Sequence, residues 1–449
     1  MVVSKKGIIL SIVLCVGVVF GLSFPISAFA RGRVVAMVGS STNSDEVEAV
    51  QEILAKVNAY DPNFAKTADV CLLFLNADYD EPEKVLKALK DNGVNIPLWG
   101  ATSSAAVMTT EGYEKGGMSM LFLSGESSKD LKVAVASQDL GETRGDAVSA
   151  GRKVIKKALA KLRGTPRIIL MTSAPGREEA VIEGIESVIG RGIPILGGSS
   201  ADNNVEGKWK QFTKNRVYTN AVVVAVVCTS TKIGYDFANG YHPTRESVYV
   251  KSSSEYGRLL EILNDGKQDK EALYLYAKWI GKTPEELQGM NLLGESLLYP
   301  LAQHITIRGK DYYITAHPAI GGGSDPETPP EGTMFCFKEL PASTRLTLMK
   351  AEPDDLINSV GSSIDKALRR GRIRRRNIAA LFLVHCAGRV FAIEGAGRSM
   401  GEVVRVIKDK IGYDTPFITL FAFGEQGREK AVGNTHGNLS IAPLIFSAH

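Results

Sequence analysis

The feature that most constrains this chain is a repeated order of four parts: a buried strand, a polar turn, an amphipathic helix and a proline-led strand. In the first copy an apolar run from Ala68 to Leu75 precedes an Asn/Asp/Glu-rich turn, a helical run from Pro82 to Asn92, and a segment through Pro97 to Gly100. The second copy runs from Arg167 through Met171, turns at Thr172 to Arg177, continues as a helix over about residues 178–189, and ends on Pro194 to Gly198. A third, looser copy has Ile378 to Val384, a turn at His385 to Arg389, a helix near Gly401 to Ile411, and Pro416 leading Phe417 and Ile418. Strand, helix, strand in that order predicts parallel pairing through a right-handed crossover. The copies lie much further apart than the 20–50 residues of a solenoid repeat, so they point to duplicated α/β units. The expected class is therefore α/β, with two tandem mixed-sheet domains built on βαβ-type repeats.

The proline-led strands end on small, donor-rich corners. Pro97 and Pro194 each stand three residues before a glycine. Gly197 and Gly198 permit a sharp turn and a close approach, and Ser199, Ser200 and Asp202 then offer hydroxyls and a carboxylate beyond the strand end. Ser103 and Ser104 occupy the matching places in the first copy. Ligands of open α/β sheets bind outside the carboxyl ends of strands, which makes these residues candidate ligand contacts. Read structurally, the same residues are a turn whose glycines serve geometry and whose serines cap it.

Residues 1–30 read as an export signal. Lys5 and Lys6 precede an uncharged apolar run from Gly7 to Leu22, and Pro25 stands before a small-residue cleavage site, Ala28-Phe29-Ala30. The competing reading is a membrane anchor over residues 7–24, close to the roughly 18 residues a span needs. Loss of the two lysines would lower the formal net charge from +4 to +2. Near-neutrality argues against nucleic acid as a general partner. Six arginines between Arg369 and Arg376 are the exception, and cations after a helical run complement its dipole and stay solvated. Cys71, Cys228 and Cys336 sit in apolar strand-like runs, where a thiol is a small buried hydrophobe. No Cys-x-x-Cys pair occurs and the histidines lack ligand spacing, so neither a metal nor a cofactor is expected.

After the second repeat, residues 209–212, 216–218, 221–228 and 232–251 read as a β-meander, and residues 254–264, 269–279 and 283–290 as helical. The expected division is an N-terminal domain over 31–252 and a C-terminal domain over 253–449. Here the ordered motifs become recognisable. Gly-x-Pro-x-x-Gly-Gly-Ser-x-x-Asp at 192–202, the run Ala221 to Ala225, and Asn239-Gly240-Tyr241-His242-Pro243 resemble the N-terminal half of the FIST sensory-domain family. Glu352 to Asp355, His385 to Arg389, Phe423-Gly424-Glu425 and Asn434-Thr435-His436 resemble its C-terminal half, with His436-Gly437-Asn438 where the family has a His-Asn dipeptide. The resemblance implies a signal-transduction sensor that binds a small molecule, with amino acids suggested. An output would pass through an unidentified partner protein, since the chain has no kinase, cyclase or DNA-binding segment.

Three further residues join the candidate site. Arg389 offers a planar fork suited to a carboxylate, Glu425 an acceptor for an ammonium group, and His436 a donor for the carboxylate. Together they would suit an amino-acid-shaped ligand; internal ion pairs are the structural alternative. Cys386, beside Arg389, is the candidate nucleophile of an alternative reading as a thiol-dependent hydrolase or transferase. Gly321-Gly322-Gly323-Ser324 lacks the Gly-Lys-Ser/Thr ending of a phosphate loop. The balance favours binding of an amino acid or other small polar metabolite over catalysis.

Overall fold

The computed structural model describes residues 33–449, so the expected export segment lies outside the described residues. All three repeats form, the third with a strand running to Cys386 and an added helix Ala387–Gly395 in place of the turn expected at His385 to Arg389. Val70–Asn76 pairs in parallel with Leu98–Ser103 across helix Pro82–Asp91, and Ile168–Ser173 with Ile195–Gly198 across helix Glu178–Ile189. Ile378–Cys386 pairs in parallel with Phe417–Ala422 across helices Ala387–Gly395 and Met400–Ile411. In every copy the leading proline, which has no N–H to give, presents its carbonyl to the central strand. Cys71 N–H donates to the Pro97 oxygen (2.9 Å), Ile169 N–H to that of Pro194 (2.9 Å) and Leu381 N–H to that of Pro416 (3.0 Å).

Each central strand also has an antiparallel neighbour on its other side: Met118–Gly125, Ala221–Cys228 and Ile441–Ser447 respectively. Beyond these lie the outer strands Val34–Ser41, Lys132–Asp139 and Ile233–Tyr235. The proline-led edge of every sheet is then extended by a hairpin from another copy. Hairpin 106–115, which follows the first copy, joins the third sheet, and hairpin 211–218, which follows the second, joins the first. Hairpin 425–437, which follows the third copy, joins the second sheet and closes the ring of exchanges.

The three sheets turn their inner faces to one shared core containing Phe74, Trp99, Leu170, Leu196, Phe382 and Leu420. Phe74 stacks on Phe382 at 5.5 Å between centroids, Trp99 meets Phe382 edge-on at 5.6 Å, and the indole N–H of Trp99 donates to the Val223 carbonyl (3.1 Å). Helices Glu46–Val57 and Pro82–Asp91, Arg144–Ala160 and Glu178–Ile189, and Pro353–Gly371 and Met400–Ile411 cover the outer faces in pairs. Coverage on both faces explains why strands such as Val70–Asn76 read as unbroken apolar runs. A fourth, eight-stranded sheet built mainly from residues 242–350 packs on helix Ala272–Trp279.

The α/β class, with mixed sheets in both halves, is thus as expected. Two local readings are corrected. The strands after the second repeat do not stay together as one meander: hairpin 211–218 pairs with Leu98–Ser103 and strand Ala221–Cys228 with Ile168–Ser173, in different sheets. Residues 254–264 are not helical. Glu255, Tyr256 and Gly257 all have positive φ (50°, 61° and 93°), and this turn returns Leu259–Asn264 antiparallel onto Tyr249–Ser254. The division expected after residue 252 falls within the strand His242–Ser254.

Candidate functional site

The three corners do converge, and they are zipped directly together. Ser104 N–H donates to the Phe421 oxygen (3.0 Å), Phe421 N–H to Ser103 Oγ (3.0 Å), Ala201 N–H to the Thr102 oxygen (3.0 Å) and Ser199 N–H to the Gly424 oxygen (2.8 Å). A Cβ on Gly197 would collide with the Met171 carbonyl, and one on Gly198 with the Ala422 side chain. These glycines therefore serve close packing. Ser200 Oγ is taken by the Ser173 carbonyl (3.1 Å) and Gln211 (2.7 Å), and Asp202 caps its own loop through Val205 N–H (2.6 Å) and Lys208 N–H (2.8 Å). Ser103, Ser104, Gly197, Gly198, Ser200 and Asp202 lie outside the lining of the hollow described next.

Beside the corners opens a hollow of about 450 Å³. Its walls are Trp209, Phe335, Phe337, Phe391 and Phe423 with Leu293 and Leu297; its polar end is formed by Glu178, Arg258, His317, His436, Asn438 and Cys386. The polar residues come from the crossover helix of the second copy, the fourth sheet and the third copy. Ser199 touches this end from behind, donating to Glu178 Oε1 (2.7 Å).

Glu178 and Glu179 occupy the first turn of helix Glu178–Ile189, where the helix dipole favours acids, and Gly176 N–H bonds the Glu178 carboxylate (3.0 Å). Arg258 Nη2 lies 3.3 Å from an oxygen of each acid. Lys338 Nζ donates to the His436 carbonyl (2.8 Å) and lies 3.6 Å from Glu179. His436 Nδ1 stands 2.9 Å from Glu179 Oε1. Burial works against charge on both acids, but the imidazole of His436 with Arg258 (and Lys338 for Glu179) outweighs it and holds both carboxyls below their ordinary range. Burial lowers Lys338 despite its acidic neighbours. Glu178, Glu179 and His436 each offer one ligand atom within 4.8 Å of the others, a geometry a metal ion could use. Arg258 and Lys338 already supply positive charge to those acids, which disfavours a further cation.

Two buried nitrogens at this end have no partner. Asn438 Oδ1 accepts from His317 N–H (3.2 Å), leaving Nδ2 unused, and His436 Nε2 is likewise unbonded. The latter sits against Gly424, where any Cβ would strike it. Unpaired buried polar groups of this kind are uncommon and call for a partner or a reason.

Arg389 departs from the expected role. It is wholly buried, and its two Nη atoms bind the carbonyls of Asn239, Leu356 (2.7 Å) and Leu439 (3.4 Å) and the Ser359 hydroxyl (2.8 Å), while Nε has no partner, so both ends of its fork are turned to the protein itself. Nor does Glu425 face the hollow: it is buried, accepts from Ser440 N–H (2.8 Å), and burial raises its carboxyl to about 8. The expected Arg389–Glu425 clamp is not formed. Cys386 does line the hollow, but burial and the neighbouring Glu425 push its thiol well above the ordinary range, opposite to what nucleophilic attack needs. His436 is the one expected contact, besides the alternative Cys386, that lines the hollow. Glu178, Arg258 and Trp209 are not singled out in sequence, and Asn438 enters there only as the counterpart of the family's His-Asn dipeptide.

Fold and site together define an α/β binding protein with a ligand-sized hollow at the junction of its repeats. The FIST N domain matches residues 69–265 and the FIST C domain residues 272–428, and the chain belongs to the FIST family. FIST domains are small-ligand sensory domains in signalling. An uncharacterized protein of Methanocaldococcus jannaschii is 27% identical over 191 residues, 41% of this chain and 35% of that protein's own length. The chain thus spans about a third of that relative. Among solved structures, a cyanuric acid hydrolase from A. caulinodans aligns over 92% of this chain and 99% of its own at 9% identity and a TM-score of 0.37. Another cyanuric acid hydrolase structure aligns over 71% and 99% at 7% identity and a TM-score of 0.27. Likeness at this level carries no information about activity.

Proposed function

We propose that this chain is an exported small-molecule-binding sensory protein that passes its ligand state to a partner protein, the ligand being an amino acid or another small metabolite. The observation that carries the reading is the hollow of about 450 Å³ whose polar end holds two buried, unpartnered nitrogens, Asn438 Nδ2 and His436 Nε2. A volume of this size suits a single small molecule. The site joins residues of the second copy, the third copy and the fourth sheet, so an occupant would bridge parts of the chain distant in sequence. That is the coupling a sensor needs between binding and a surface read elsewhere.

Membership of a sensory family supports the reading, and the basic, apolar and small-residue order of residues 1–30 supports export. The test is a thermal-shift screen of amino acids, small carboxylates and aromatic acids. Ligand at 100 times its dissociation constant stabilises by about 2.7 kcal/mol. A hit that disappears in His436→Ala supports the site, whereas no stabilisation by any class counts against a sensor. N-terminal sequencing of protein recovered outside the cytoplasm tests export: a chain starting at Arg31 is expected, and an intact Met1 terminus on cytoplasmic protein contradicts it.

A further inference from the structure

The acceptors at the polar end are already occupied. Glu178 Oε1 takes Gly176 N–H and the Ser199 hydroxyl, and its Oε2 takes Gly176 N–H and Arg258. Glu179 Oε1 takes Glu339 N–H and His436 Nδ1, with Lys338 close by, and its Oε2 takes Arg258. All four carboxylate oxygens are thus engaged by groups of the protein itself. An ammonium group entering the hollow would find no free carboxylate and would meet Arg258 in the same space.

Of the two unpartnered nitrogens, one has a fixed role. Asn438 Nδ2 only donates, it is buried, and it has no partner, while Oδ1 of the same amide is held by His317 N–H. A guest atom satisfying it must be an acceptor, such as a carbonyl or carboxylate oxygen. The two acids are matched by Arg258, Lys338 and an imidazole, so this end carries no net negative charge that would repel an anion.

The remaining walls are aromatic. Trp209 meets Phe423 edge-on at 6.3 Å, Phe335 meets Phe337 edge-on at 6.2 Å, and all four rings are half-buried around open space. Phe391 is 45% exposed and Val205 44% exposed, and both belong to the same lining. Exposed large apolar groups gathered at the wall of a cavity mark a surface that an apolar guest covers. Aromatic walls favour an aromatic guest, which can stack on them or meet them edge-on.

From this geometry we infer that the hollow takes a flat, apolar, usually aromatic molecule carrying one hydrogen-bond acceptor, a carboxylate or amide, and no α-ammonium group. The inference rests on the reading of the hollow as the sensory site and narrows its ligand. Aromatic rings fill the space between Trp209 and Phe337, and the acceptor meets Asn438 Nδ2. An amino acid pays for an unsatisfied ammonium group in a site whose carboxylates are spent.

Matched pairs that differ only in the ammonium group test this: 3-phenylpropionate against phenylalanine, and indole-3-propionate against tryptophan, by isothermal titration. The deaminated acids are expected to bind at least tenfold more tightly. Asn438→Asp keeps the oxygen that accepts from His317 while turning the free donor into an acceptor, and is expected to weaken the acids at least tenfold. Trp209→Leu, at a half-buried wall position, is expected to weaken them as well and serves if Asn438→Asp does not fold. Equal or tighter binding of the amino acids overturns the inference and leaves the sensor reading standing. Failure of both members of each pair, alongside a polar hit in the wider screen, also overturns it. No hit of any class overturns the sensor reading itself.

Discussion

His436 is held at one end and free at the other: Nδ1 lies 2.9 Å from Glu179 Oε1, whereas Nε2, equally buried, has no bond. Glu179 also faces Arg258 at 3.3 Å and Lys338 at 3.6 Å. Replacing it by Gln leaves these cations under-compensated in a buried site. Glu179→Gln is therefore expected to lose about 3–5 kcal/mol, the usual result of removing one member of a buried charge network. Urea unfolding measures this, and an unchanged midpoint would show that the network contributes little.

Arg389 serves as a backbone tie, reaching the carbonyls of Asn239, Leu356 and Leu439 from one buried fork. Arg389→Met takes this donor from the Asn239 and Leu439 oxygens, while Leu356 keeps the Ser359 hydroxyl (2.7 Å), and is expected to destabilise by about 1–3 kcal/mol for each group left unsatisfied. Arg389→Lys should rescue little, because an ammonium lacks the fork's planar spread. Affinity for any ligand of the hollow should be unchanged in whatever fraction of the variant remains folded. A selective loss of ligand affinity with intact stability would restore the role expected from sequence.

Close packing at the corners gives a third expectation. A Cβ at Gly198 meets Ala422 and comes within 2.9 Å of Val384 Cγ1, and one at Gly424 strikes His436. Both Gly198→Ala and Gly424→Ala are expected to lose about 1–3 kcal/mol through overpacking. Only Gly424→Ala should also alter ligand affinity, since only its new methyl displaces the imidazole. Thermal melts with and without ligand separate the two effects.

Glu425 supplies a pH signature. Its folded-state pKa is raised by burial to about 8, from an ordinary 4.5. Between those values the folded chain keeps a proton that the unfolded chain releases, so this group's contribution is fully present below pH 4.5 and is lost as pH rises towards 8. Glu179 and Glu178, held low, act with the opposite sign, losing stability at acid pH. The informative quantity is therefore the difference between wild type and Glu425→Gln. The variant is expected to gain relative stability steadily from about pH 5 to pH 8. A difference that is flat with pH would mean that Glu425 ionises normally.

Local chemistry carried much of the architecture. Pro97, Pro194 and Pro416 marked three strands whose proline carbonyls all accept from a central partner strand, and the apolar runs beside them marked strands covered on both faces. What local chemistry could not carry was the exchange of hairpins between copies. Gln211–Thr213 pairs with Leu98–Ser103 through contacts more than a hundred residues apart in sequence, and no periodicity encodes such a partner. The helix expected over 254–264 fails for a similar reason: Leu259, Leu260 and Leu263 suit either state, and the left-handed turn at Tyr256 and Gly257 decides. The corners were legible as convergent but not as closed. Nothing local in the sequence sets Glu178 or Arg258 apart. Only folding brings them together with His436 and Asn438 at one end of a hollow.

A small molecule seated in that hollow lies against Trp209 in its wall, whose fluorescence reports on it directly. Trp99, wholly buried, and Trp279 are the other two tryptophans, and neither lines the hollow. Titrating a stabilising ligand while recording tryptophan fluorescence should give a saturable change that vanishes in Trp209→Phe, with stabilisation of that variant persisting at reduced affinity. An undiminished fluorescence change in Trp209→Phe, at unaltered affinity, would place the ligand elsewhere and contradict the account.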